Sequence, residues 1–258
     1  MSIKVSRTFE RWSPFVLLAV ILLLWQGVVA AFGIPEFIFP SPWQIAQQFV
    51  EFGEPLLEAA WKTFWVTMLG FGLAIVVGVL LGFLVGSSRL AYAALYPLLV
   101  AFNAVPKAAV VPILVVWFGI GLGPGVLTAF LISFFPITVN IATGLATLEP
   151  ELEDVLRVLG ARRWDVLVKV GLPRSMPYFY GSLKIAITLA FVGTVLAEMT
   201  AGDSGIGYLM QTAGSQQRMP LAFAGLVTIG AMAMAMYELF SWLERRTTGW
   251  AHRGTQGD

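Results

Sequence analysis

Six runs of residues dominate this sequence: 14–33, 61–86, 92–118, 125–147, 178–201 and 221–243 are strongly apolar and nearly free of charge. Crossing ~30 Å of hydrocarbon at ~1.5 Å per residue takes a helix of ~20 residues, and each run reaches that length. Inside lipid every backbone N–H and C=O needs a partner within its own segment, which a helix provides. Charged residues make up only 12% of the chain, against about 25% in soluble domains, so a soluble fold of this size has no means of hiding the apolar surface. The sequence predicts an all-α integral membrane protein with six transmembrane helices. The third run is the exception in quality, because Pro106, Lys107 and Pro112 interrupt it. Two shorter re-entrant pieces are the alternative to one crossing there.

Placement of the basic residues sets the orientation, since Lys and Arg accumulate in short cytoplasmic loops. With six crossings and the N-terminus inside, Lys4, Arg7, Arg11, Arg89, Arg157, Arg162, Arg163, Lys169, Arg174, Arg245, Arg246 and Arg253 are cytoplasmic, and only Lys62 and Arg218 are external. Lys107 and Lys184 fall within apolar runs. Both termini are therefore expected in the cytoplasm. The expected division is a tail at 1–13, one transmembrane domain at 14–246 with a large cytoplasmic loop at 148–177, and a tail at 247–258. The first apolar run follows Lys4, Arg7 and Arg11 and is long enough to span, so it reads as an uncleaved helix.

Several classes of function fall away. There is no cysteine and a single histidine, His252, which makes a zinc site or a conventional catalytic triad improbable. A net charge of +1 gives no overall field to attract nucleic acid. No G-x-x-x-x-G-K-[ST] sequence is present, so the chain has no P-loop for ATP.

Outside the membrane, residues 34–60 carry Pro35, Pro40 and Pro42 and four glutamates, and read as an external linker followed by a surface helix. Gln47, Gln48, Phe49, Leu56 and Leu57 offer that helix an apolar face at the membrane surface. The loop LEPELEDVLRVLGARRWDVLVKVGLPRSMP, residues 148–177, is more informative. Pro150 and the acids Glu151, Glu153 and Asp154 suit the first turns of a helix, and Leu152, Val155, Leu156 and Leu159 recur at helical spacing. Gly160 then ends that helix, and a second amphipathic segment from Ala161 to Val170 runs into Leu172 and Pro173. A helix with one greasy face outside the membrane must dock on something.

This loop resembles the one carried by permeases of binding-protein-dependent ABC importers, in which Glu-Ala-Ala, three residues, Gly, nine residues, Ile, one residue and Leu-Pro follow in order. Aligned on Gly160, this chain supplies Asp154, Val155 and Leu156, then Val170, Leu172 and Pro173. Asp stands for Glu and Val-Leu for Ala-Ala, which keeps the acid and the apolar character. Four further blocks, IPEFIFPSPWQI (34–45), VPKAAVVPILVVWFGIG (105–121), FFPITVNIATGL (134–145) and LAEMTAGDSGIGYLM (196–210), look like the nitrate, sulfonate and taurine branch of these permeases. The resemblance implies a type I ABC importer permease fold in the bacterial cytoplasmic (inner) membrane. It implies a second permease copy, two cytoplasmic ATPases that bind ATP and Mg, and an external solute-binding protein. It makes Glu151, Asp154, Val155, Leu156, Gly160, Ala161, Val170, Leu172 and Pro173 the contact with the ATPase, with Leu172-Pro173 stopping the second short helix. The solute implied is a small anion such as nitrate, a sulfonate, taurine or a carboxylate.

Within the membrane, Lys107 stands midway along its run, where an unpaired charge costs at least ~2.5 kcal/mol. With Asn103 one turn before it, Lys107 either lines a pathway for an anionic solute or is paired with Glu198 or snorkels to a surface. Glu198 lies near the external end of the fifth run, followed by Gly202, Gly205 and Gly207. That glycine-rich stretch suits a gate, a docking surface, or simply a turn with positive backbone angles. Gly70, Gly72, Gly78, Gly82 and Gly86 suit close helix packing, and Glu238 has Arg245 or Arg246 as partner. A secondary transporter driven by an ion gradient is the alternative function. It would be expected to show midplane carboxylates and an internal repeat.

Overall fold

The computed structural model describes residues 7–146, 158–160, 165 and 167–248. Helix α1 is Arg7–Phe32, α2 Pro42–Glu51, α3 Gly53–Gly86, α4 Arg89–Ala104, α5 Val111–Phe118, α6 Leu122–Ala146, α7 Leu172–Ala201, α8 Gly205–Ser215 and α9 Met219–Thr247. Five of these are long and apolar enough to span a membrane, and α4 with the segment Lys107–Phe118 forms a bent pair with the length and composition of a broken span or a re-entrant loop. Five of the six expected crossings are thus present as continuous helices, and the third run is a bent pair that fits either of the two forms the sequence allowed, one broken crossing or two re-entrant pieces.

That third crossing is not one continuous helix but turns by 72° between Ala104 and Lys107. Pro106 disfavours the helical region for the residue before it, and Val105 is extended, with φ −66° and ψ 127°. The chain resumes as a 3₁₀ turn, Lys107–Val110, and then as α5, where Pro112 occupies the first turn and needs no N–H partner.

The core is made by α3, α6 and α7. Gly70, Ala74, Gly78, Gly82 and Gly86 recur every fourth residue of α3 and form one flat stripe. A Cβ on Gly70 would stand 2.5 Å from the Ala129 Cβ, one on Gly78 2.9 Å from the Ile137 Cβ, and one on Gly82 2.7 Å from the Ile141 Cβ. From α7, Gly193 approaches the same Ala129, its absent Cβ 2.9 Å from the Ala129 Cα. Three backbones therefore converge at Ala129, as expected where lipid removes the hydrophobic drive and close packing holds helices together. Gly72 faces open space and has no part in this packing. Across the same junction the buried Thr67 hydroxyl donates to Thr194 at 2.9 Å.

Helix α2 is fixed by a capping box: Gln44 N donates to Ser41 Oγ at 3.3 Å and Ser41 N to Gln44 Oε1 at 2.8 Å, with Pro42 in the first turn. The expected surface helix stops at Glu51, and α3 starts at Gly53. Leu56 is therefore buried in the first turns of the spanning helix, whereas Leu57 faces outward, so the two do not share an apolar face with Phe49. Helix α1 is peripheral. It touches its neighbours mainly near Trp25, whose ring lies 5.2 Å from Phe39 and 6.3 Å from Phe223, and through the Trp43 N–H donated to Gln26 Oε1.

Candidate functional site

Three regions of this fold carry polar chemistry. The first is the break in the third crossing. The Lys107 ammonium donates to both Asn103 oxygens, to the carbonyl at the broken end of α4 and, at 2.7 Å, to Oδ1. Asn103 is exposed and Lys107 partly so. Among the described residues no carboxylate lies within ion-pair distance of Lys107, so the alternative of a Lys107–Glu198 pair is not what forms. Asn103 and Lys107, whose spacing suggests one polar strip facing the bundle interior, are hydrogen-bonded to each other, but Asn103 is exposed.

The second region lies where α3, α7 and α8 meet, and it holds Glu198. Its carboxyl is buried, 7% exposed, and both of its oxygens lie 2.9 Å from the Thr63 hydroxyl. The Gly207 N–H donates to Oε2 at 2.9 Å, and the Ile206 N–H donates to Thr63 Oγ1 at 2.8 Å. Ile206 and Gly207 are the second and third residues of α8, whose N–H groups have no partner within their own helix. Ser204, the residue in the N-cap position, makes no capping bond and donates instead to Asp203 Oδ1. Side chains from two other helices thus cap α8. The glycines around it are required by this arrangement: a Cβ on Gly205, whose φ is +91°, would stand 2.3 Å from the Glu198 Cδ, and one on Gly207 2.6 Å from the Val195 carbonyl oxygen. Glu198 and Lys107 are therefore in separate sites. Thr63 escaped sequence reasoning, because a single threonine in an apolar run looks like any other hydroxyl that bonds back to its own helix.

Beside this junction a cleft of about 340 Å³ opens between the start of α3 and α8, with Phe52, Lys62, Asp203, Tyr208, Thr212 and Arg218 on its walls. The Arg218 guanidinium lies 4.4 Å from the Phe52 ring centroid, and Lys62 pairs with Glu58 at 3.0 Å.

The third region is the expected coupling segment. Glu151, Asp154, Val155, Leu156 and Ala161 lie outside the described residues. Gly160 has φ +85° and open space around it, a turn that favours glycine, and the preceding Val158 and Leu159 are 88% and 77% exposed. Val170 lies in a π turn, Leu167–Gly171, that leads straight into α7. Leu172 and Pro173 therefore begin a helix of 30 residues rather than stop one. The correction has a simple cause: proline in a first turn forfeits only an N–H that the turn leaves orphaned. Lys184 of α7 pairs with Glu244, in the last turn of α9, at 2.8 Å, largely buried, with the Tyr237 ring centroid 5.7 Å from its ammonium. Glu238 meets Arg245 at 3.7 Å, as its sequence position suggested.

The fold is a multi-span helical bundle with one bent span and an exposed turn at Val158–Gly160. The chain belongs to the family described as binding-protein-dependent transport system inner membrane component, whose profile matches residues 74–249. It is 32% identical over 233 residues to a probable ABC transporter permease protein of Haemophilus influenzae, covering 90% of this chain and 95% of that one. It is 35% identical to the riboflavin transport system permease protein RibX of Chloroflexus aurantiacus, covering 91% and 88%, and 28% identical to the taurine transport system permease protein TauC of Escherichia coli, covering 90% and 87%. In fold it is similar to a chain of the MetNI methionine ABC transporter in inward-facing conformations, with a TM-score of 0.64 at 19% identity over 75% of this chain and 96% of that one. The chain is a multi-pass permease subunit of an ABC importer, a transport protein and not an enzyme, and such a subunit works with an ATPase and a binding protein.

Proposed function

We propose that two copies of this chain form the pathway of a bacterial inner-membrane importer for a small anionic solute, with both termini in the cytoplasm and the loop 148–177 docked on the ATPase. The anionic solute rests on one observation: the Lys107 ammonium stands at the break of the third crossing with, among the described residues, only the neutral oxygens of Asn103 as partners. A cation without a carboxylate within the membrane marks a solute path by default. The names of relatives agree in part, since they include permeases for taurine and aliphatic sulfonates as well as for riboflavin and formylaminopyrimidine. The exposed Val158 and Leu159 beside the Gly160 turn support docking of the loop. ATP and Mg belong to the partner.

The test is reconstitution in proteoliposomes with the partner ATPase and binding protein, after screening that binding protein with taurine, nitrate, an alkyl sulfonate, a carboxylate and riboflavin. An anion is expected as the best ligand, and Lys107→Gln is expected to lower its uptake about tenfold, the effect of ~1.4 kcal/mol. A neutral ligand, or anion uptake unchanged in Lys107→Gln, overturns the assignment.

A further inference from the structure

We infer that Glu198 and Thr63 are positioning residues that lock α8 to the outer ends of α3 and α7, so that the cleft beside them is carried as one block during the ATP cycle instead of opening and closing. The inference rests on the coupling proposed above through residues 148–177.

Its first support is the cap. An eleven-residue helix whose own N-cap side chain is turned elsewhere is held at its N-terminus by Thr63 of α3 and Glu198 of α7. A local cap would fix only the turn before α8. A cap built from two other helices fixes α8 relative to both of them. Its second support is the close approach of Gly205 and Gly207 of α8 to α7: their absent Cβ atoms would lie 2.3 Å from the Glu198 Cδ and 2.6 Å from the Val195 carbonyl oxygen. Interfaces packed this tightly shift between discrete arrangements rather than slide.

The third support is the route by which a push arrives. The π turn at Leu167–Gly171 enters α7 directly, and from Pro177 to Glu198 the helix runs ~32 Å without a further proline. At the far end of that rod the Glu198 carboxyl grips α8. The cleft has Glu58, Ala59 and Lys62 of α3 on one wall and Tyr208, Leu209 and Thr212 of α8 on the other. Its width is set by the two walls that the Thr63–Glu198 junction ties together.

The chain has no cysteine, so spin labels can be placed at Glu58→Cys on α3 and Ser215→Cys on α8, both exposed, in the complex with its ATPase. The label distance is expected to differ by less than about 1 Å between the nucleotide-free state and the ATP–Mg–vanadate state, below the ~1–2 Å of helix shifts at moving interfaces. In Thr63→Val, which keeps the side chain's shape, and in Glu198→Leu, the distribution is expected to broaden about twofold and to depend on nucleotide, as for an element released to local opening. A wild-type distance that shifts with nucleotide overturns the lock, and so does a narrow, nucleotide-independent distance in Thr63→Val. A third label at the exposed Val158 reports loop docking separately. If its mobility ignores the ATPase, the coupling proposal fails, while the Glu58–Ser215 pair still decides whether α8 is locked.

Discussion

Gly70 and Gly72 sit two residues apart on the same helix and meet opposite fates when a methyl group is added. A Cβ at Gly70 would lie 2.5 Å from the Ala129 Cβ, 2.6 Å from the Val126 carbonyl oxygen and 3.2 Å from the Phe130 N, while at Gly72 it would meet nothing within 4 Å. Carbon atoms prefer ~3.5–4.0 Å, so Gly70→Ala must push α3 and α6 apart by about 1 Å where Gly193 of α7 also presses on Ala129. Two of the three obstacles are backbone atoms, which cannot rotate away. Overpacking of this kind costs ~1–3 kcal/mol, against a gain of up to ~1 kcal/mol from the better helix propensity of alanine. Gly70→Ala is expected to lose about 1–2 kcal/mol net, and Gly72→Ala to change by no more than about 1 kcal/mol in the stabilising direction. Reversible unfolding of purified protein by SDS in mixed micelles, followed by tryptophan fluorescence and circular dichroism, measures both. Gly70→Ala as stable as wild type, or Gly72→Ala the worse of the two, would refute the assignment of Gly70 to the three-helix contact.

Two further outcomes follow from the polar contacts. Lys184→Met alone leaves Glu244 largely buried without its cation and should cost about 2 kcal/mol or more, whereas Lys184→Met with Glu244→Leu should recover most of that loss; the same unfolding assay reads the cycle, and equal losses in the single and double variants would show that the pair does not hold α7 to α9. Ser41→Ala removes the capping box of α2 and is expected to cost about 1 kcal/mol, seen as several-fold faster hydrogen exchange in residues 42–51 with α3 unaffected.

Much of this architecture was legible in the sequence, because lipid permits so few solutions. Apolar length located the crossings, and the Pro106–Lys107–Pro112 cluster marked the one that fails as a continuous helix, since Pro106 turns Val105 out of the helical region, whereas the single prolines Pro97, Pro136 and Pro177 are carried inside α4, α6 and α7. The glycine repeat was visible too, but only packing separates Gly70, Gly78, Gly82 and Gly86 from Gly72, which points outward. What stayed hidden was long-range pairing. Thr63 and Glu198 are 135 positions apart, and Lys184 and Glu244 are 60 apart, with no local pattern announcing either contact. Leu172-Pro173 misled in a different way: a proline after an amphipathic segment reads as a stop, yet the same residue is equally suited to begin a helix, and the chain uses it for α7. Gly205 was assigned a turn with positive φ as one option, and it has one, but the carboxyl filling the space of its side chain came from a helix whose approach the sequence does not encode locally.

A separate ATPase, acting through the loop at residues 148–177, is the proposed drive of this permease. Uptake into proteoliposomes, measured with ATP and Mg inside and with the partner ATPase present or omitted, tests it most directly, beside a variant carrying Asp154→Lys and Gly160→Val. Uptake is expected only with the ATPase and ATP together, and the variant is expected to lose both uptake and copurification of the ATPase. Uptake that persists on an ion gradient without the ATPase, or a variant that retains the ATPase and full uptake, would contradict it.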